Sequence, residues 1–470
     1  MSPRSRRLLL IEPPFYRLFD ENYSLCRYPL ALAYLAAVAT TEAGWQARTY
    51  NADFAGGGRP FSVRHLSGAG HRRYLACLAD PDAEIWREVE TVLREQAPSV
   101  VGISLKSACL ASGRRVAGIA KRLDSDTLVV AGGPHPTVAP EQVLADPNFD
   151  LCVIGEGEQT LVELLRCLDA GGRAVEVPGV AARVKGAVER AAPRPLLADL
   201  DPLPRPMEWV PRTLLNHDHY PAKALGRLMA TRGCPQLCTY CASNRLWGRR
   251  PRFRSPGQVV AELQQLRAAG VERVHFEDDT FGVTPDYLQR LCAAIAQGLP
   301  GLGWSCETHV RLINEANLAS MQRAGCHTIQ MGIESGSDRI LRAVRKGFTI
   351  ARALEACRLV KRHGMRLEVF IMAGFPQETE ESLRETMAVV RDLDCDKVIY
   401  SLFTPHPGTE AHQLCLSLGL VRPDQDFSLN HHQSPRNHFS PAIAPARFRE
   451  LASEMEDLVE RRRGGTREDS

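Results

Sequence analysis

Arg232-Gly233-Cys234-Pro235-Gln236-Leu237-Cys238-Thr239-Tyr240-Cys241 is the stretch that decides how this chain is read. Its cysteines are spaced C-x3-C-x2-C. Three thiolates can hold a [4Fe–4S] cube and leave one iron without a protein ligand, whereas ordinary electron-transfer clusters use four. A small chelating molecule can fill the vacant site, which makes the cluster a reaction centre as well as an electron store. Two other readings stay open. Zinc asks for a second Cys or His pair further on, and none follows at such spacing. Packing of the three as small hydrophobes is the plainer reading, and Gly233 and Pro235 oppose it by making the stretch a loop.

The 470 residues suit two or three domains. A hydrophobic content of 44% supports substantial cores, and a formal charge of +3 gives no broad footprint for nucleic acid. The other cysteines are scattered singly, which fits a reducing cytosol rather than a secreted disulfide framework. Most of them fill core space; Cys109, Cys306 and Cys326 lie near expected strand ends. Leu8-Leu9-Leu10-Ile11 is stopped by Glu12-Pro13-Pro14, too short for a signal segment or membrane span.

Strands and helices alternate on both sides of the cysteine loop. Upstream, strands are expected at 7–11, 45–50, 100–104, 127–131 and 151–154, with helices at 29–43, 111–123 and 159–168. Continuous apolar strands separated by helices predict a parallel sheet covered on both faces. Residues 1–190 are therefore expected to form an α/β, doubly wound, Rossmann-like domain with ligands at the strand carboxyl ends. Residues 191–223 are crowded with prolines and read as a semi-rigid linker laid over the surface. From 224 to 430, strands at 226–230, 273–276, 303–307, 328–332, 366–371 and 397–402 alternate with helices. That pattern fits a partial (β/α)6 barrel, with chemistry at strand ends. Residues 431–470 are expected to form one helix (445–460) and a charged, disordered tail from 461.

Further motifs close the barrel strands. Phe276-Glu277-Asp278-Asp279-Thr280-Phe281 offers acceptors for an ammonium group, and equally suits a helix N-terminus. Gly332-Ile333-Glu334-Ser335-Gly336-Ser337 offers a carboxylate to hydroxyls and close backbone approach, or a serine cap. Gly374-Phe375-Pro376-Gln377-Glu378-Thr379 and Pro405-His406-Pro407-Gly408-Thr409 follow later strands. Together with the cysteine triplet and Tyr240 before its last cysteine, these segments resemble the radical S-adenosylmethionine (SAM) enzymes over about residues 224–415. The resemblance implies that SAM chelates the open iron and that its reductive cleavage yields a 5′-deoxyadenosyl radical. It makes Tyr240, Glu277, Asp278, Arg311, Glu334 and Gly374 candidate SAM contacts and Cys234, Cys238 and Cys241 the cluster ligands. Arg311 suits SAM's carboxylate or a neighbouring acidic group equally well.

In the first domain, Gly132-Gly133-Pro134-His135-Pro136-Thr137 and Gly155-Glu156-Gly157-Glu158 sit at strand ends, where glycines open a crevice. Joined to the barrel, the pattern is similar to the cobalamin (B12)-binding domains fused to radical SAM enzymes, the class B methyltransferase type. By that likeness Ser104, Gly132, Gly133, His135 and Thr137 contact cobalamin. The D-x-H-x-x-G of many such domains is replaced by Glu12-Pro13-Pro14-Phe15-Tyr16-Arg17, so no protein histidine is expected below cobalt; the proline neighbours of His135 favour a role in shaping the tail pocket.

The family likeness implies a cobalamin-dependent methyltransferase acting on an unactivated carbon of a small molecule, through the 5′-deoxyadenosyl radical and methylcobalamin. It implies an external electron donor such as flavodoxin or ferredoxin and a cytoplasmic setting. A cyclase, ring-contraction or oxidation enzyme with the same cofactors stays open. A tRNA methylthiotransferase lacks support from a second cysteine trio or a terminal β-domain, and a non-catalytic cobalamin sensor lacks support from a decayed triplet. His431, His432, Arg436 and His438 are suggestive as substrate contacts.

Overall fold

The computed structural model describes residues 5–23, 25–56 and 62–463. Its first sheet grows from the run Leu8-Leu9-Leu10-Ile11. In β1 (Arg7–Glu12) successive side chains point to opposite faces, so Leu9 and Ile11 enter one core and Leu8 and Leu10 the other. β2 (Gln46–Asn51), β3 (Val100–Ser104), β4 (Leu128–Gly132) and β5 (Leu151–Val153) complete the parallel part. The parallel strands lie in the order β2-β1-β3-β4-β5. The chain reverses its winding between β1 and β3, which opens a crevice at the strand carboxyl ends.

The last two strands were absent from the sequence reading. β6 (Val180–Val184) and β7 (Ala187–Arg190) form an antiparallel hairpin on the far edge. Lys185 (φ 49°) and Gly186 (φ 84°) make its two-residue turn, both with the positive φ that such tight hairpins demand. The edge strand Ala187–Arg190 is mostly exposed and charged, so it carries no apolar signal.

Residues 191–223 do more than lie on the surface. Leu200, Met207, Val210, Leu214 and Tyr220 are buried, and the Leu215 amide donates to Thr49 O at 2.9 Å. The prolines interrupt long elements but leave apolar residues between them to pack across the two domains.

The second sheet is six-stranded and wholly parallel, its strands lying in chain order from one edge to the other. β8 is Arg227–Leu228, and a two-residue antiparallel pair follows, β9 (Thr231–Arg232) with β10 (Arg252–Phe253). The remaining strands are β11 (Arg273–Phe276), β12 (Gly303–Thr308), β13 (Cys326–Glu334), β14 (Arg366–Ala373) and β15 (Lys397–Leu402). The end strands β8 and β15 are not paired, so this is a partial barrel. The final helix, Pro445–Arg463, seats Phe448, Leu451, Met455 and Val459 in the barrel core. Helical structure thus extends past 460, and Arg462 donates to the carbonyls of Val390 and Arg391 at 2.7 and 2.9 Å. The rest of the expected tail, 464–470, lies outside the described residues.

Candidate functional site

The cysteine loop leaves β9 at the mouth of the barrel. Gly233 has φ 96°, and a Cβ there would sit 2.9 Å from Arg250 O, so only glycine fits. Further on, the Thr239 amide donates to Val344 O at 3.1 Å, and Thr239 O accepts from the Ala411 amide at 3.0 Å. Pinned on both sides, the loop presents Cys234 and Cys238 half-buried and Cys241 exposed. Cys234 Sγ lies 3.2 Å from Thr280 Oγ1. Cys238 and Cys241 border a cleft of about 270 Å³. Among the described residues, no group of three or more His, Cys, Asp or Glu surrounds a single ion. A cube asks for something else, one thiolate per iron corner, and three accessible thiols on one anchored loop beside a cleft fit that donor set.

Glu334 ends β13 with φ 71°, a left-handed conformation rare for a residue with a side chain. The ladder to β14 slips at this point, between Gly332 and Glu334. Lys346 Nζ donates to Glu334 Oε1 at 3.2 Å and to the Tyr240 hydroxyl at 3.3 Å. Both charged groups are buried. Burial alone would lower the Lys346 pKa, but Glu334 and the cysteine thiolates raise it. The Tyr240 hydroxyl is pushed well above its ordinary value by burial and then by Glu334. A Cβ on Gly332 would come within 2.4 Å of Glu334 Oε1, so that glycine leaves room for the pair. Ser335 does not cap a helix; it meets Thr386 Oγ1 at 3.1 Å and accepts from the Ser337 amide at 3.1 Å.

The acidic motif after β11 splits three ways. Glu277 accepts from Arg227 at 2.7 Å; against the upward push of burial, Arg227 and Arg27 hold its pKa below the usual carboxylate value. Asp278 is buried and accepts from the Ala230 amide at 2.8 Å, so it ties down the backbone leading to the cysteine loop. Burial raises it to about 7. Asp279 accepts from Ser243 Oγ at 2.5 Å. Glu307, near the end of β12, is raised to about 7 by burial and by Glu277, Asp279 and Glu334. Glu307 thus lies in the combined field of Glu277, Asp279 and Glu334.

Arg311 is exposed and lies against Gly347, next to Lys346. Gly374 has φ 97°, and its amide donates to Glu378. Glu378 is fully buried, and burial raises its pKa to about 8 against the backbone amides of Gly374 and Phe375. Thr379 caps the next helix in a reciprocal capping box with Ser382.

In the first domain, Leu105 N donates to Gly132 O at 2.7 Å, and His135 N donates to Leu105 O at 3.0 Å. Gly133 has φ 103°, with room for no Cβ beyond 3.1 Å from Leu105 O. A Cβ on Gly132 or Gly155 would meet nothing within 4 Å, so these two glycines face open space. Ser104 Oγ lies beside Gly133. Thr137 Oγ1 donates to Gly133 O at 2.8 Å and accepts from the Gly155 amide at 3.0 Å. His135 is buried, with Nδ1 3.0 Å from Ser107 Oγ and Nε2 without a partner. Burial lowers its pKa to about 4, so the buried imidazole is neutral. A glycine-lined opening with an orphaned polar atom fits the tail of a bulky nucleotide-bearing cofactor. At the end of β1, Glu12 pairs with Lys106 at 3.2 Å.

Of the residues suggestive as substrate contacts, His431 and His438 are engaged elsewhere. His431 is committed to structure: its Nδ1 accepts from the Gln433 amide at 3.3 Å, which leaves Nε2 protonated to donate to His71 Nδ1 at 2.9 Å. His438 bonds Ile443 O at 2.8 Å, whereas His432 stands edge-on to His406 at 6.5 Å and Arg436 is exposed. Cys109, Cys306 and Cys326 are core-filling; all three are buried. Lys346 and Glu307 escaped the sequence reading. Lys346 sits in Arg345-Lys346-Gly347, which reads as the basic end of a short helix, and Glu307 belongs to no motif.

A family model for the radical SAM superfamily matches residues 228–390, and one for the B12 binding domain matches residues 18–165. The uncharacterized methyltransferase PH0819 of Pyrococcus horikoshii is 31% identical over 370 residues, covering 77% of this chain and 80% of that protein. The cytidylyl-2-hydroxyethylphosphonate methyltransferase of Streptomyces wedmorensis is 26% identical over 469 residues, covering 90% and 84%. Among solved structures, the radical S-adenosylmethionine methyltransferase TsrM of Kitasatospora setae, with cobalamin and a [4Fe–4S] cluster bound, superposes with a TM-score of 0.74. The match has 18% sequence identity and covers 97% of this chain and 89% of that one; it shows a shared fold.

Proposed function

The chain belongs to the family of radical SAM proteins that carry a B12-binding domain, and from that premise we propose that it transfers the methyl group of SAM to an unactivated carbon of a small molecule. It is a cobalamin-dependent radical SAM enzyme, and its cofactors are a [4Fe–4S] cluster, SAM and cobalamin. When bound, these supply an organic radical able to abstract hydrogen and a carrier for the methyl group. The relatives named as methyltransferases support methyl transfer, and the phosphonate methyltransferase supports a small-molecule acceptor.

The chain's own residues divide the work. Cys234, Cys238 and Cys241 hold the cluster. Tyr240, Glu277, Arg311, Glu334 and Gly374 receive SAM, with Lys346 holding the Glu334 carboxylate in place. Asp278 supports the loop rather than the ligand. Ser104, Gly132, Gly133, His135 and Thr137 take the tail of cobalamin. An external flavodoxin or ferredoxin supplies electrons. Free cysteines throughout the described residues favour the reducing cytoplasm, and no described helix is long and apolar enough to cross a membrane.

The observation that carries this reading is the placement of three accessible thiols on a loop pinned at the barrel mouth, beside Tyr240 and the Glu334–Lys346 pair. The test is anaerobic turnover of reconstituted protein with methyl-deuterated SAM and small-molecule extracts. Labelled product with 5′-deoxyadenosine and S-adenosylhomocysteine is expected. Cleavage of SAM with no label in any product refutes methyl transfer and leaves a cyclase-type or oxidative outcome.

A further inference from the structure

The Gly155-Glu156-Gly157-Glu158 turn reaches from the first domain into the barrel. Arg232, two residues before Cys234, donates to Glu156 Oε1 at 2.8 Å and to Glu158 Oε1 at 2.5 Å. Arg252 pairs with Arg232 across the β9–β10 bridge and donates to both Glu156 oxygens at 2.9 and 2.8 Å. The Leu197 amide adds a third donor to Glu156, at 2.7 Å. The side chains of Arg232, Glu156, Glu158 and Arg252 are 5%, 3%, 8% and 9% exposed. The Arg232 guanidinium also lies 4.7 Å above the Trp247 ring.

Two positive and two negative charges balance in this network, and each carboxylate has a charge-assisted donor. Buried ion clusters of this kind add little net stability, because desolvation offsets the attraction. What they fix is geometry, and the geometry here is at the root of the cysteine loop. Arg232 is covalently followed by Gly233, whose backbone packs so close to Arg250 that a Cβ would sit 2.9 Å from Arg250 O, so displacement of Arg232 carries the loop with it. At the other end, Gly155 is bonded to Thr137, and Thr137 to Gly133. An unbroken run of hydrogen bonds and covalent links therefore joins the glycine-lined crevice to Cys234.

We propose that Glu156 and Glu158 are positioning residues for the iron–sulfur loop, and that through Arg232 the two cofactor pockets share one binding equilibrium. The inference rests on the cluster and cobalamin assignments above. By linkage, a loaded cluster must then change cobalamin affinity, and coupling of ordinary size is about fivefold or more.

The experiment is a visible titration of hydroxocobalamin into full-length protein, once with the cluster intact and once after its removal by chelation. Wild type is expected to show affinities that differ at least about fivefold. Glu156→Gln removes the charge that both arginines share and is expected to bring the two affinities together. Glu158→Gln removes the charge from one of the two carboxylates that Arg232 meets; it is expected to weaken the coupling partially, and it serves if the first variant does not fold. Arg114→Gln cuts a different contact between the chain's two halves, with Asp426 at 2.6 Å, and is expected to leave the coupling intact. Equal affinities in wild type, full coupling in Glu158→Gln, or loss of coupling in Arg114→Gln overturns the proposal. A chain that binds neither cluster nor cobalamin defeats the functional reading instead.

Discussion

Replacing Lys346 with methionine should damage the barrel far more than a surface charge change would. The Lys346 and Glu334 side chains are only 6% and 10% exposed, and their charged atoms are 3.2 Å apart. At that separation and an effective dielectric constant of about 20, unit charges attract by about 5 kcal/mol. Stripping one partner from a buried pair usually costs about 3–5 kcal/mol, because the other charge is left without compensation. Lys346→Met should therefore cost about 3–5 kcal/mol, and Glu334→Gln added to it should recover most of the loss. A two-domain chain need not unfold in one step. The assay is accordingly hydrogen exchange along a urea series on cofactor-free protein, read on peptides from β13. A loss below about 1 kcal/mol, the surface-pair range, or a deeper loss in the double variant, would refute the pairing argument.

Alanine at Cys234, Cys238 or Cys241 should abolish the iron–sulfur absorbance while leaving far-ultraviolet dichroism unchanged; a full complement of iron in any of the three contradicts the ligand assignment. Gly336→Ala forces a Cβ to 2.7 Å from the Thr386 backbone, and should destabilise the barrel by about 1–3 kcal/mol, measurable by the same exchange series. Glu378 has a folded pKa raised to about 8 from its ordinary 4.5. The folded state thus holds the proton more tightly, so this contribution is present below about pH 4.5 and is lost as pH rises towards 8. Glu378→Gln should match wild type near pH 5 and exceed it in stability near pH 9; a pH-independent difference between the two counts against the burial argument.

Local patterns made much of this architecture readable. Leu8 to Ile11 is apolar at every position, which is what a strand covered on both faces requires. The cysteine spacing and the positive-φ glycines at strand ends are also local. What escaped depends on contacts between distant residues or on exposed backbone. Lys346 gains its meaning from Glu334 and Tyr240, and Arg232 from glutamates in another domain. The hairpin of β6 and β7 has an exposed outer strand with no apolar alternation. Asp278 was indistinguishable from its acidic neighbours in sequence, and only the fold directs it to Ala230. The prolines of 191–223 concealed apolar residues that pack. β13 extends to Glu334 because β14 pairs with it that far, at Ile371, beyond what its own residues specify.

The most direct measurement is electron–nuclear double resonance on the reduced, reconstituted protein with SAM labelled with 17O and 15N in its methionine part. Hyperfine coupling from both nuclei to the cluster is expected, since an iron without a cysteine would bind the amino and carboxylate groups. A fully assembled cluster that shows neither coupling with SAM present would contradict the account.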